Sequence, residues 1–406
     1  MASFVTHLEA SIDGTRLDHR KLATTHEGRP LLVRYDLAAV RRALPRAALA
    51  ARPADLWRYR ELLPVERDEN AVSLGEGTTP LVPCPRLGRE LGLEQLWIKD
   101  ESHLPTGSFK ARGLCLAVSR AKELGLRRVA IPTAGNAGGA LAAYAARAGL
   151  EAFVFMPADT PAVNRGEAVL FGARVFLVEG LITDCAALVQ AGTEPMGWFD
   201  LSTLKEPYRL EGKKTMGLEL AEQLGWTLPD VILYPTGGGT GLIGMAKAFD
   251  ELGELGWLAS EARPRFYACQ SDGCAPIVRA FEQGQRFAAP FPDAHTVASG
   301  LRVPRAVADF LILDAVRRSR GSAEAAPEGE LLPWMRRASA LEGIGLCPET
   351  AACLSVLERL VRAGTIARAE RVVVFNTGAA QKYGECLPED AVRLARGETP
   401  DWARYA

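Results

Sequence analysis

The sequence predicts an α/β fold in two lobes, each built on a parallel sheet, and three observations carry that expectation. The chain has 406 residues, too many for one small core and enough for two units that each bury an apolar interior. From about residue 95 onward, short β-branched or aromatic runs alternate with longer helical patterns, the sequence form of βαβ units. Most of those runs end in Gly, Pro, Ser or Asn, which puts loops at the strand ends where open α/β sheets bind ligands.

In chain order, residues 1–45 precede the alternation and stand as a separate N-terminal segment. The strand candidates then follow as QLWIKD, RVAIPT, EAFVFM, RVFLVE, GWFDL, DVILYPT, RFYACQS and RVVVFNT. Between RVAIPT and GWFDL the units are short and regular, so residues 117–205 are assigned to a smaller inserted lobe. Residues 46–116 and 206–395 then form the larger lobe and 396–406 a C-terminal tail, with the site expected in the cleft between lobes. The polar stretch GSAEAAPEGE, residues 321–330, reads as an exposed loop before another helix.

The charge balance, 48 basic against 49 acidic side chains, creates no broad field for nucleic acid or an anionic membrane and leaves a small molecule as the expected partner. Eight cysteines are scattered without metal-ligand spacing in a chain too large to need disulfide staples, so reduced thiols are expected. The start, MASFVTHLEASIDG, lacks the basic flank and apolar run of a signal peptide, and no apolar stretch approaches membrane-spanning length. A cytoplasmic protein is expected.

Four segments carry chemistry. In KDESHLPTGSFKARG a strand end and a Pro-Thr-Gly turn lead to Ser108, a candidate helix cap, and to Lys110 in the first helical turn. A lysine there, partly desolvated and near other positive charge, becomes a usable amine nucleophile toward an aldehyde; an arbitrary lysine is solvated. The loop PTAGNAGG brings its backbone close to a ligand, with Asn136 offering an amide, although Gly-Asn alone is an ordinary turn. In DVILYPTGGGTGLIG a strand runs into Gly237, Gly238, Gly239, Thr240 and Gly241, whose amides at a helix start would cradle a phosphate. Gly239, Gly241 and Gly244 also spell the G-x-G-x-x-G of a nicotinamide enzyme, but Asp272 comes late for its acidic partner. Finally, RVVVFNTGAAQKYG ends a strand at Thr377, where a hydroxyl can bond a ring nitrogen or simply close a turn.

In this order the four segments resemble the fold-type-II pyridoxal-phosphate family, which includes threonine synthase, serine and threonine dehydratases and cysteine synthase. The resemblance implies a two-lobed, tryptophan-synthase-β-like fold with pyridoxal 5'-phosphate as cofactor. It implies that Lys110 carries the cofactor, Asn136 meets its ring oxygen, Gly237–Gly241 hold its phosphate and Thr377 sits beside its ring nitrogen. Two further stretches, LGEGTTPLV and EPYRLEGKKT, resemble the threonine-synthase branch and imply substrate contacts from Arg209 and Thr133. The expected reaction is conversion of O-phospho-L-homoserine and water to L-threonine and phosphate, in a homodimer.

This branch commonly begins with a zinc ribbon, which LEASIDGTRL and THEGRPLLVRYDL resemble, but Ala10, Asp13, Thr25 and Glu27 stand where its cysteines would be. No metal is expected. Ala111, Ala137 and Thr203-Leu204 replace the branch's usual Asp, Thr and Asn-Ser, so several phosphate donors are missing. Lys205, Lys213 and Lys214 are candidate replacements, each otherwise a solvated helix charge. The alternatives are serine or threonine deamination, β-replacement on a phosphorylated amino acid and, farther off, a nucleotide-binding oxidoreductase or a non-catalytic binding protein.

Overall fold

The computed structural model describes residues 3–404. The N-terminal segment folds into a four-stranded sheet in the order β2-β1-β4-β3, from β1 (Val5–Ala10), β2 (Arg16–Leu17), β3 (Thr25–His26) and β4 (Arg29–Tyr35). All its pairings are antiparallel, with Leu8 opposite Val33. Leu8, Ala10, Leu31 and Val33 are buried in a core shared with later elements, and a fully buried Leu or Val contributes about 1.5–3 kcal/mol. Apolar packing therefore holds this sheet down. Helix α1 (Leu37–Ala43) follows, capped by Asp36, whose carboxylate accepts from the Ala39 amide at 2.8 Å.

A large parallel sheet begins with β5 (Leu81–Pro83), α2 (Pro85–Leu91), β6 (Gln95–Asp100) and α3 (Lys110–Glu123). A smaller sheet follows from β7 (Arg128–Pro132), α4 (Ala137–Ala148), β8 (Glu151–Pro157), α5 (Ala162–Leu170), β9 (Arg174–Val178), α6 (Ile182–Met196) and β10 (Phe199–Asp200). Its strand order is β10-β7-β8-β9, all parallel. β8 is buried from Ala152 to Pro157, the continuous apolar run of a strand covered on both faces.

The chain then returns to the large sheet through α7 (Tyr208–Gln223), β11 (Val231–Pro235), α8 (Thr240–Glu254), β12 (Arg265–Ser271), α9 (Pro276–Glu282), α10 (Asp309–Arg318), β13 (Ser322–Ala326), α11 (Glu328–Glu342), α12 (Pro348–Arg362) and β14 (Arg371–Asn376). The order is β13-β12-β11-β14-β6-β5, with only the short edge strand β5 antiparallel. Two expectations change here. The stretch read as an exposed loop at 321–330 contains β13, an edge strand pairing Ala268 with Ala323, and then the start of α11. Its Ser, Ala and Glu side chains lack the branched or aromatic signature of a strand; the sheet edge beside it imposes the conformation. GWFDL, in turn, pairs only at Phe199 and Asp200.

Helix α7 positions the site. Its residues from Tyr208 to Ala221 are all buried, so its polar side chains are paired inside the protein or aimed at a ligand. It crosses α3 at Gly212, where a Cβ would lie 2.1 Å from the Arg112 carbonyl oxygen. Arg112 and Lys99 both bind Glu219 of this helix, Arg112 at 3.0 Å. Lys214 bridges Glu211 at 2.6 Å and Glu251 at 2.8 Å, and Lys247 holds Glu211 at 2.9 Å. Tyr35 of the N-terminal sheet donates its hydroxyl to Glu211 at 2.7 Å, tying that sheet to α7. Among the described residues no helix is long and apolar enough to cross a membrane, and no cluster of His, Cys, Asp and Glu could hold a metal.

Candidate active site

Lys110 is the first residue of α3, at the end of a turn that begins after β6. Ser108 does not cap the helix. Phe109 occupies the cap position without a side-chain bond, and the Ser108 hydroxyl is buried with no partner. The turn is instead fastened to the loop after β14. The Phe109 amide donates to the Thr377 carbonyl at 3.0 Å, the Ala379 amide donates to the Gly107 carbonyl at 2.8 Å, and Ser108 bridges Gly378. This short antiparallel pairing lies just beyond the parallel β6–β14 register, which ends with Asp100 against Asn376. Two segments far apart in sequence become one wall.

The Lys110 amine lies 4.1 Å from the centre of the Phe109 ring and, among the described residues, makes no hydrogen bond or ion pair. Its pKa is lowered to about 8, first by burial and then by the Arg209 guanidinium, against the pull of Glu349 and Cys347. At pH 7 about a tenth of such an amine is unprotonated, roughly 300-fold more than for an ordinary lysine. The site thus supplies a nucleophilic amine near neutral pH.

Arg209 is buried on the first turn of α7. One guanidinium nitrogen donates to the Leu201 carbonyl at 2.7 Å, while Nε is buried without an acceptor. Glu206 and Asp200 favour its charge, yet neither ion-pairs with it; Glu206 instead accepts from the Tyr208 amide at 2.7 Å. A buried cation with an idle donor is the arrangement that receives an anion. The neighbouring candidates separate. Lys214 is absorbed in its ion-pair network and Lys205 lies 3.6 Å from Asp200. Lys213 is fully buried, donates to the Phe109 carbonyl and stands 4.2 Å over the Phe109 ring, close to the Lys110 amine. Lys213 and Lys214 are therefore not solvated charges.

Asn136 precedes α4, with its amide nitrogen 3.1 Å from the Tyr383 hydroxyl and its carbonyl oxygen accepting from Asn164 at 2.9 Å. A Cβ on Gly378 would lie 3.5 Å from that amide, so Asn136 and the Thr377 loop face one another. Thr133 hydrogen-bonds across its own turn to Gly135. The Thr377 hydroxyl has Cys347 Sγ at 3.7 Å.

Gly237, Gly238 and Gly239 follow β11, and their three amides meet no acceptor among the described residues. Gly239 has φ of 74° and caps α8, a backbone state that glycine adopts without strain. Thr240 opens the helix, while Gly241 packs on Tyr234, whose hydroxyl would be 1.9 Å from a Cβ there. Tyr234 meets Phe109 edge-on at 6.2 Å, which links the glycine loop to the Lys110 turn. Free amides at the start of a full helix suit a phosphate. Asp272, the acidic residue a nicotinamide site would use, accepts from the Glu328 amide at the start of α11.

Lys213, a candidate replacement donor in the sequence, faces Lys110. Two site residues carried no signal in the sequence: Glu349 at the start of α12, which is 3% exposed, and Tyr383, which holds Asn136. Each gains its meaning only from contacts between distant segments.

Comparison with known proteins agrees with this geometry. The family described as "Pyridoxal-phosphate dependent enzyme" matches residues 72–378. A threonine synthase of Methanosarcina acetivorans is 37% identical over 345 residues, 85% of this chain and 84% of its own. One from Methanocaldococcus jannaschii is 34% identical over 362 residues, 89% and 88% of the two chains. Among solved structures, maize serine racemase superposes with a TM-score of 0.67 at 20% identity, covering 81% of this chain and 94% of that one. The processed form of threonine deaminase isoform 2 from Solanum lycopersicum gives 0.66 at 18% identity, covering 82% and 94%.

Proposed function

The chain belongs to the pyridoxal-phosphate dependent enzymes, and we propose on that premise that it is a threonine synthase, converting O-phospho-L-homoserine and water to L-threonine and phosphate. The residues fit the cofactor: an amine with a lowered pKa, three unpartnered glycine amides at a helix start and the buried Thr377 hydroxyl. Lys110 would hold it covalently, Gly237–Gly241 its phosphate, Asn136 its ring oxygen and Thr377 its ring nitrogen. When bound, pyridoxal phosphate supplies an electron sink for breaking carbon–hydrogen bonds.

The geometry supports the following roles for the chain's own residues. Arg209 binds and orients the substrate phosphate with its idle Nε donor. Lys110, once released, takes a proton from the α carbon and returns one as the reaction completes, a role suited to an amine that titrates near neutrality. Thr377 offers a hydroxyl rather than a charge, which supports a hydrogen bond without enforcing protonation of its partner. Tyr383 and Asn136 hold the two sides of the cleft together.

The single observation that carries the substrate assignment is Arg209, a buried guanidinium without a carboxylate partner beside the Lys110 amine. The test is a substrate panel on the purified holoenzyme, following phosphate and threonine together. Equal amounts of both from O-phospho-L-homoserine, and loss of visible absorption in Lys110→Ala, are expected. Keto acid from serine or threonine, with no phosphate release from phosphohomoserine, would replace this reading with a deaminase.

A further inference from the structure

Glu349 is a second charged group in the site, and its bonding is incomplete. One carboxylate oxygen accepts from the Gly300 amide at 2.8 Å, while the other, Oε2, is buried with no hydrogen bond. A Cβ on Gly300 would lie 2.7 Å from the bonded oxygen, so the carboxylate is seated against the backbone. Its position at the start of α12 adds the favourable end of a helix dipole. An unpaired buried carboxylate oxygen is costly unless a donor reaches it during function. Two mobile protons are close by. Tyr383 lies next to Glu349, with its own hydroxyl accepting from Asn136. Lys110, whose amine feels the Glu349 carboxylate, has no hydrogen bond of its own among the described residues and sits on a flexible four-carbon arm.

We propose that Glu349 is a positioning residue for Lys110, a fixed counter-charge that receives the lysine ammonium whenever the amine is free of the cofactor. This rests on the reading that Lys110 carries the cofactor. An incoming amino acid arrives as an ammonium and must give up one proton before its nitrogen can replace the lysine nitrogen. The leaving Lys110 amine takes a proton, and Glu349 binds the resulting ammonium, so charge and proton count are conserved. The pair then stores that proton for the reacting carbon. Among the described residues, no other group facing Lys110 can act as this counter-charge. Arg209 on α7 is a cation, Lys213 is an amine whose pKa burial and its cationic neighbours hold well below the usual lysine range, and Cys347 is a thiol whose pKa burial pushes up to about 12.

The experiment measures acylation of Lys110 by acetic anhydride against pH in the full chain freed of cofactor, resolved by peptide mass spectrometry, with circular dichroism as the folding check. In Glu349→Gln the midpoint moves below the wild-type value, which makes acylation about three- to tenfold faster at a fixed pH under the midpoint. Glu349→Asp, with its charge one methylene further back, falls between the two and serves alone where the glutamine variant does not fold. A structural role would leave this midpoint in place. Unchanged midpoints in the folded variants overturn the proposal. Failure of the underlying reading looks different: visible absorption with pyridoxal phosphate would persist in Lys110→Ala, whatever Glu349 does.

Discussion

Replacing Arg209 with methionine isolates the phosphate contact. The side chain makes one internal bond, to the Leu201 carbonyl, and keeps Nε idle; a substrate phosphate would occupy Nε and a terminal nitrogen. Hydrogen bonds to a charged group contribute about 1.5–3 kcal/mol each. Two of them convert to about a 10²- to 10⁴-fold loss in kcat/KM for O-phospho-L-homoserine. Methionine fills similar volume, and the lost bond to Leu201 costs about 1 kcal/mol of stability, which thermal unfolding reads separately. The specificity control is an amino acid without phosphate, assayed for α-hydrogen exchange with solvent. Exchange should fall far less than kcat/KM for the phosphate substrate, only through the rise in the Lys110 pKa once the Arg209 charge is gone, since no phosphate bond is lost. An equal loss on both substrates would refute the assignment, because Arg209 would then be acting through Lys110 or through the fold.

Two further outcomes follow from buried charge. Lys214→Met should destabilise the protein by about 3–5 kcal/mol in denaturant unfolding, since it leaves two buried carboxylates, Glu211 and Glu251, to share the single Lys247 cation. Lys213→Met, which removes a buried amine that has no carboxylate partner and whose pKa burial and the Lys110 and Arg209 charges hold well below the usual lysine range, should stay within about 1 kcal/mol of wild type. Glu219 gives the acid limb: burial would raise its carboxyl, but Arg112 and Lys99 override that and hold it at about 2. Its stabilisation is full above the ordinary value of 4.5 and is lost as pH falls from there toward 2, so Glu219→Gln should flatten the stability–pH curve in that window.

The parallel sheets were legible because β-branched and aromatic runs such as RVVVFN and RFYACQS can be covered on both faces and need no other signal. β13 was not, since SAEAA has no such side chains and owes its conformation to pairing with β12. The chemistry followed the same division. Lys110, Asn136, the glycine loop and Thr377 each sit at a strand end with local turn residues that mark them. Ser108 had the right residue type for a cap but is held by Gly378, a partner whose position depends on the sheet order. Glu349 was unreadable for a related cause, and Lys213 was read as a candidate phosphate donor without its place beside Lys110. Helix periodicity says which face is buried, not which cation or carbonyl waits there once α3, α7 and α12 are packed together.

The order of the large sheet has a consequence for synthesis. β14, the last of this sheet's strands in chain order, lies between β11 and β6. On the ribosome, a nascent chain that has not yet extruded residues 371–376 leaves the edges of both strands unpaired, and the Lys110 turn has no Thr377 loop to close against. Residues through the Thr377 loop must therefore be synthesised before the lysine pocket exists. Until then the exposed strand edges are the part of the molecule most in need of a chaperone.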